Sequence, residues 1–399
     1  MVPAFASAAE MVAALRPEEP VYCLRPHIVA AAARRFVEAF PGDVLYAVKC
    51  NDHRHVLDAL YQGGIRHFDT ASLAEVAAIH DRFADQTSHY MHPVKSRRSI
   101  EQAYYRYGIR SFALDCRDEL DKLVATTQGG HDLTLVVRLE TSGNQAVCDL
   151  SGKFGATVDE AAGLLRAIAA PGRRLGLTFH VGSQCEAPSA YRHAIERAGR
   201  VLDRAGVGLD VLDVGGGFPA AYVGVAPPPL EVFLAAIADG VAALSLPPAC
   251  RLQCEPGRAL VAEGCSLVTR VDLRRGDALY LNDGIFGGLS DMTIDGIEFP
   301  MRVIRAGRRK GGRRRARPAP FRLFGPTCDS TDKLPGPYWL DGDVGEGDWI
   351  EVGQAGAYTN VLSTRFNGFS SARMVTVGDA AFRPSGDVAL ARPARDAAE

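Results

Sequence analysis

Residues 43–51 read DVLYAVKCN, an unbroken apolar run from Val44 to Val48 closed by a lysine, Lys49. A short run of this kind, bounded by polar residues, reads as a buried strand. The same texture recurs at Arg66–Asp69, Tyr90–Pro93, Arg110–Leu114, Leu133–Leu139, Gly176–Val181, Leu209–Val214 and Arg251–Glu255. Segments of helical composition, such as Ser72–His80, Ser99–Tyr107 and Val158–Ala170, lie between most of them. Strands alternating with helices in this way predict a (β/α)8 barrel, whose chemistry gathers at the C-terminal strand ends. At those ends stand Lys49, Asp69, His92, Asp115, Arg138, His180, Gly215-Gly216-Gly217 and Glu255. A lysine, an imidazole, a glycine-rich turn and a carboxylate on one rim point to an enzyme holding a phosphorylated cofactor.

A chain of 399 residues exceeds one barrel, so a second domain is expected. The texture changes after residue 262. Short β-like runs at Ser266–Leu273, Ala278–Leu281, Met301–Ile304, Phe321–Phe324, Trp349–Val352 and Met374–Val377 are broken by Gly, Pro and Asp. They predict an all-β sandwich or small barrel. The expected division is a cofactor-binding barrel over 26–262 and a β domain over 1–25 plus 263–399, with Pro20–Leu24 joining the second sheet ahead of an entry helix near His27–Phe40. The basic run RRKGGRRRAR, Arg308–Arg317, carries no interleaved aromatic residue. It reads as a solvated loop rather than a nucleic-acid patch.

The net charge of −2 gives no global attraction to nucleic acid or to membrane. No cationic start followed by a long apolar core opens the chain, and no run approaches the roughly 18 apolar residues of a membrane span. With nine scattered cysteines, that predicts reduced thiols and a cytoplasmic protein. Cys250 and Cys254 read as buried small hydrophobes, and His53 with His55 as a helix start, so no metal site is expected. There is no HExxH, GxSxG or P-loop.

Two rim features carry chemistry of their own. Lys49 after an apolar strand is either a desolvated amine, its charged form disfavoured and so free for Schiff-base formation, or a lysine that snorkels to solvent. The turn DVGGGFP, Asp213–Pro219, lets backbone N–H groups approach an anion closely; its spacing departs from GxGxxG because Ala220 holds the third position. EPGR, Glu255–Arg258, adds Gly257 and a cation in the loop after strand eight, where such barrels bind phosphate.

YAVKCN (46–51), FDTAS (68–72), HVGS (180–183), DVGGGFP (213–219) and EPGR (255–258) resemble the motifs of the fold-type III pyridoxal-phosphate decarboxylases. GPTCDSTD (325–332), GDWIEVGQAGAYT (347–359) and FNGF (366–369) are most similar to the ornithine decarboxylase group, in its bacterial ornithine/lysine form. The resemblance spans nearly the whole chain in motif order. It implies that Lys49 is the Schiff-base lysine of pyridoxal 5'-phosphate, that His180 stacks on the ring, and that Glu255 binds the ring nitrogen. It further implies that Ser183, Gly215, Gly216, Gly217, Gly257, Arg258 and Tyr358 hold the phosphate, with Asp69, Arg138 and Lys153 close by. Cys328 and Asp329 are then expected to enter the active site from the other subunit of a homodimer, Cys328 as proton donor and Asp329 as partner of the distal ammonium. Where the group carries a further substrate-binding acid, this chain offers Asp291 and Asp295.

The implied reaction is decarboxylation of a basic amino acid, L-ornithine or L-lysine. Diaminopimelate decarboxylase is the nearest alternative. An alanine-racemase-like reaction is disfavoured by Glu255, because racemisation favours a cation at the ring nitrogen. A non-catalytic antizyme-inhibitor-like decoy would be expected to have lost part of the set Lys49, His180, Glu255, Cys328 and Tyr358.

Overall fold

The computed structural model describes residues 3–141, 146–148, 152–169, 173–294, 296–305, 316–369 and 372–383. Strands Asp43–Ala47, His67–Thr70, Thr87–Tyr90, Ser111–Leu114, Thr134–Arg138, Arg174–Thr178, Val211–Asp213 and Arg251–Cys254 form a closed parallel barrel in chain order. Closure comes where the eighth strand pairs the first, Gln253 opposite Asp43 and Cys254 opposite Val44. The first strand is buried from Val44 onward, on its inner face and beneath the surrounding helices, which is why it reads as continuous apolar sequence rather than as an alternation.

One strand lies away from its expected place. The third runs over Thr87–Tyr90 instead of Tyr90–Pro93. Its polar composition hid it: Ser88 and His89 are both buried, and the Ser88 hydroxyl donates to Gln86 Oε1 at 2.6 Å. Ser72 caps the helix Leu73–His80, its hydroxyl accepting from the Glu75 amide at 3.2 Å. The segment expected as one helix over Ser99–Tyr107 is an α-helix, Arg97–Glu101, continued as a π-turn over Gln102–Arg106.

The second sheet is ordered Ala4–Phe5, Arg373–Val377, Val21–Leu24, Cys265–Arg275, Ala278–Leu281, Pro318–Phe324 and Tyr338–Asp341. Trp349–Val352 branches from Cys265–Arg275 and pairs in turn with Met301–Ile304. Val21–Leu24 joins this sheet as expected, leading into the entry helix Pro26–Ala39. The proposed division near residue 262 falls in the short helical turns Arg258–Val261 and Ala262–Gly264, between the last barrel strand and Cys265–Arg275. This unit is not wholly β: the helix Ala8–Leu15 packs Ala8, Met11 and Val12 against Val21, Cys23, Val268 and Trp349. Of the basic run, 308–315 lie outside the described residues. Among the described residues no helix is long and apolar enough to cross a membrane.

Arg25, just ahead of the entry helix, anchors the end of Val21–Leu24 within the second unit. Fully buried, its guanidinium reaches Glu351 Oε1 at 3.2 Å, Asp379 Oδ1 at 2.8 Å and Ser266 Oγ at 3.0 Å. Removing one partner of a buried ion pair leaves the other charge uncompensated. Arg25→Met is expected to lose about 3 kcal/mol or more, read as a lowered midpoint of urea unfolding, although Arg302 still pairs Glu351 at 2.5 Å.

Candidate active site

The loop after the first strand is tied to both neighbouring structures. Lys49 stands in a single 3-10 turn, Val48–Cys50, just past the strand end. The Ala47 amide donates to Pro256 O at 3.2 Å, joining the loop to EPGR. The Tyr358 amide donates to Cys50 O at 2.9 Å, and Asn51 Nδ2 donates to Gly356 O at 2.8 Å. Gly356 can be nothing larger, because an added Cβ meets Val261 O at 1.8 Å. Tyr358 takes a left-handed backbone, φ 57°, to make the turn. Two motifs about 300 residues apart in sequence thus meet around one lysine.

Lys49 Nζ donates to Asp69 Oδ2 at 2.9 Å, and the Asp69 side chain is 1% exposed. Burial pulls the ammonium down, but the charges of Asp69 and Glu255 outweigh it and hold the amine above the ordinary lysine range. This corrects the expectation of a lysine neutralised by desolvation: the charged form is favoured. Any chemistry at Nζ therefore starts by moving its proton, and Asp69 Oδ2 is placed to take it.

Glu255 and Asp213 are buried neighbours at the ends of the eighth and seventh strands. Burial, then the charges of Asp213 and Asp69, push the Glu255 carboxyl well up; burial pushes Asp213 up to about 6. Two carboxyls side by side in a dry place hold a proton between them. Asp213 Oδ1 also accepts from the Gly215 amide at 2.8 Å, fixing the glycine turn. Sequence reasoning passed over Asp213 as mere motif; an acid between Leu212 and Val214 in an otherwise apolar strand was the available signal.

His180 is driven far below its usual range by burial and by the nearby Lys49 and Arg138 charges, so the ring is neutral. Its Nδ1 accepts from the Gly182 amide at 3.0 Å, which leaves the proton on Nε2. Thr141 Oγ1 donates to His180 O at 2.7 Å. The glycine turn crowds this wall. A Cβ on Gly216 would stand 2.5 Å from Glu255 O, and one on Gly217, at φ 101°, 2.4 Å from Gly182 O. Tyr191 OH holds the turn from behind through Gly216 O at 2.9 Å.

Lys49, His180, Ser183, Gly217, Glu255, Gly257, Arg258 and Tyr358 line one cleft. Arg258 packs its guanidinium over the Tyr358 ring at 5.0 Å and has its Nε buried without a partner. A glycine-walled cleft with an incompletely paired arginine at one end and a proton-holding carboxyl pair at the other fits a phosphorylated pyridine ring. Arg138 sits beside Phe154, 5.6 Å from its ring, with Lys153 and His92 on the same aromatic side chain. Asp115 serves this wall by accepting from the Gly155 amide at 3.0 Å.

The remaining expected residues lie elsewhere. Asp291 is buried and its Oδ2 accepts from Arg258 Nη1 at 2.7 Å, beside Tyr222 OH at the same distance. Its carboxylate is committed to Arg258 and is not offered to a substrate ammonium. Asp295 lies outside the described residues. Cys328, exposed, and Asp329, half-buried, stand on a loop outside the cleft. Buried Asp332 ties that loop down, accepting from the Ile285 and Thr327 amides, each at 3.0 Å, and from Thr327 Oγ1 at 2.7 Å. Asn367 Oδ1 accepts from the Cys328 amide at 3.1 Å, which gives the FNGF motif its physical job.

The Asp291–Arg258 pair has a measurable consequence. Asp291→Asn keeps an acceptor oxygen for Nη1 but removes the negative charge beside the arginine. Pyridoxal phosphate is expected to bind the variant about tenfold more tightly, in a fluorescence titration of the stripped protein, because its dianion then meets an uncompensated cation. Weaker binding of the cofactor runs against this reading.

A family described as "Pyridoxal-dependent decarboxylase, pyridoxal binding domain" matches residues 27–262. A lysine/ornithine decarboxylase of Selenomonas ruminantium is 34% identical over 347 residues, covering 84% of each chain. The structure of a lysine/ornithine decarboxylase from Vibrio vulnificus, solved with putrescine, superposes with a TM-score of 0.79 at 30% identity over 94% of this chain and 99% of that one. A viral arginine decarboxylase from Paramecium bursaria Chlorella virus, solved with agmatine, superposes with a TM-score of 0.80 at 26% identity, over 92% of this chain and 98% of that one. With its closed barrel, its lysine and its carboxyl pair, the chain belongs to the pyridoxal-dependent decarboxylases of fold type III.

Proposed function

We propose that this enzyme decarboxylates a basic L-amino acid, with L-ornithine the preferred substrate and L-lysine the second, in a homodimer whose sites are completed across the interface. The observation that carries the proposal is the display of Cys328 and Asp329. Cys328 is exposed and Asp329 half-buried on a loop tied down by Asp332 and Asn367, and neither lines its own chain's cleft. Asn367, which holds the Cys328 amide, lies in a segment that exposes apolar side chains: Leu362, Phe366 and Phe369 are 52%, 39% and 47% exposed. A reactive loop tied to an exposed apolar segment suits burial against a second copy.

Bound pyridoxal phosphate supplies the electron sink for the pair left when carbon dioxide departs. The chain's own residues do the rest. Lys49 is the covalent anchor and gives up its proton toward Asp69. Glu255, backed by Asp213, keeps a proton at the ring nitrogen, so the ring draws electrons strongly. Neutral His180 stacks on the ring without adding charge, and Arg258, Ser183, Tyr358 and the backbone of Gly215, Gly216, Gly217 and Gly257 hold the phosphate. Cys328 of the partner subunit returns a proton to Cα. Asp329 of the partner subunit pairs the distal ammonium, a charge-assisted contact that a diaminopimelate carboxylate would turn into repulsion. The free thiols fit a reducing compartment such as the cytoplasm.

A substrate panel tests the chemistry. Carbon dioxide release is expected from ornithine and lysine and only weakly from meso-diaminopimelate, and Asp329→Ala is expected to raise KM for ornithine sharply. Equal turnover of diaminopimelate, or unchanged ornithine kinetics in the variant, counts against the assignment; a protein that binds the cofactor and releases no carbon dioxide from any of them is a decoy.

A mixing experiment tests the assembly. Lys49→Ala and Cys328→Ala are each expected to be nearly inactive, while their mixture regains activity. Random exchange in a two-fold dimer leaves about one site in four composed wholly of native residues. No recovery, with exchange demonstrated, excludes shared sites.

A further inference from the structure

The barrel has a second mouth, at the N-terminal strand ends opposite Lys49. A cavity of about 370 Å³ opens there, walled by Asp43, His67, His89, Arg174, Arg251 and Gln253. That volume is within the range of small-molecule sites, and nothing in the decarboxylation chemistry uses it.

Its hydrogen bonding is unfinished. Asp43 Oδ1 accepts from Arg251 Nη2 at 2.6 Å, and Asp43 Oδ2 accepts from Gln253 Nε2 at 3.3 Å. The second contact orients the amide and leaves Gln253 Oε1 buried without a partner, on a residue only 4% exposed. His67 Nε2 lies 3.5 Å from Asp43 Oδ1, and His67 Nδ1 lies 3.2 Å from His89 Nε2. With the His67 proton toward Asp43, His67 Nδ1 takes the His89 Nε2–H. His89 Nδ1 is then a bare acceptor, again buried without a partner, on a residue 6% exposed. Burial keeps both rings neutral, His89 falling to about 3, so neither supplies a further proton. In that tautomer two buried acceptors, on residues that line one cavity, lack donors. Buried polar atoms are otherwise almost always satisfied.

The rim has the opposite character. Arg174 is exposed, with no acidic partner among the described residues, and the Arg251 side chain is 56% exposed. Asp43 is already engaged by Arg251, so a cationic ligand finds no free carboxylate in this wall and meets guanidinium charge instead.

We propose that this mouth binds a small hydroxylated anion, such as a polyol phosphate or a sugar acid. Its hydroxyls donate to His89 Nδ1 and Gln253 Oε1, and its anionic group meets Arg174 and Arg251. The test is calorimetric titration of the pyridoxal-loaded protein with glycerol 3-phosphate and with 6-phosphogluconate, with glycerol and sulfate as controls. Saturable binding of at least one hydroxylated anion is expected, weakened about tenfold by Arg174→Ala through loss of a charge-assisted contact. Gln253→Leu is expected to weaken the hydroxylated anions alike. If that core change unfolds the protein, the exposed Arg174→Ala still decides. The proposal is overturned if neither anion binds and the mouth holds only water, if sulfate binds as tightly, or if Arg174→Ala binds like the parent.

Discussion

Three carboxylates buried around one amine set the terms for the active-site end of the barrel. Asp69, Asp213 and Glu255 are each 8% exposed or less, and only Lys49 and a retained proton offset their charge. Burying a carboxylate without a partner is costly, so the arrangement persists only as a set. Lys49 stays charged because Asp69 holds it, and Glu255 is pushed toward its protonated form because burial and Asp213 act on it. Under the proposed function the same set would serve both ends of the cofactor ring: an anchor whose proton has a nearby acceptor, and a ring-nitrogen partner biased toward holding a proton. Charge balance and chemistry are one constraint here.

Geometry at that constraint is enforced from outside the barrel. Gly356 and Tyr358 belong to the turn after Trp349–Val352, yet they clamp Asn51 and Cys50 at the C-terminal end of the Lys49 turn. The second sheet is therefore part of the active-site wall. Arg25, the last residue before the entry helix Pro26–Ala39, is locked to Glu351 and Asp379 within the second unit, so the chain enters the barrel from a fixed point. Buried ion pairs of this kind are weak sources of net stability but strong determinants of register.

Much of this was legible in the sequence where local pattern decides. Ala278–Leu281, Met301–Ile304 and Trp349–Val352 are strands over the runs that their apolar residues mark. Legibility failed where a partner distant in sequence decides. Thr87–Tyr90 looks like a loop until Ser88 and His89 are seen buried between the neighbouring strands. The helix Ala8–Leu15 is short and gains its stability from the sheet it covers. The charge state of Lys49 depends on Asp69 on the neighbouring strand, so an apolar run before the lysine gave the wrong sign. Asp291 was legible as an acid near the site, but nothing in its own neighbourhood announced Arg258 as its partner.

That last pairing changes how substrate selection is divided within the molecule. An acid locked onto Arg258 is not free to read a substrate ammonium, so under the proposed function discrimination by charge passes to Asp329, on a loop belonging to the other unit of the fold. Chain length is a separate question. One methylene is worth only about 1–3 kcal/mol in a pocket, whereas meeting a distal carboxylate with a carboxylate costs several. An enzyme built this way separates diamino acids from diaminopimelate by charge more decisively than it separates ornithine from lysine by length. The loop that carries Asp329 is held by Asp332 and Asn367 from its own chain, so in the proposed dimer selectivity would be preset in each subunit and would need only the second copy to bring it over the cleft.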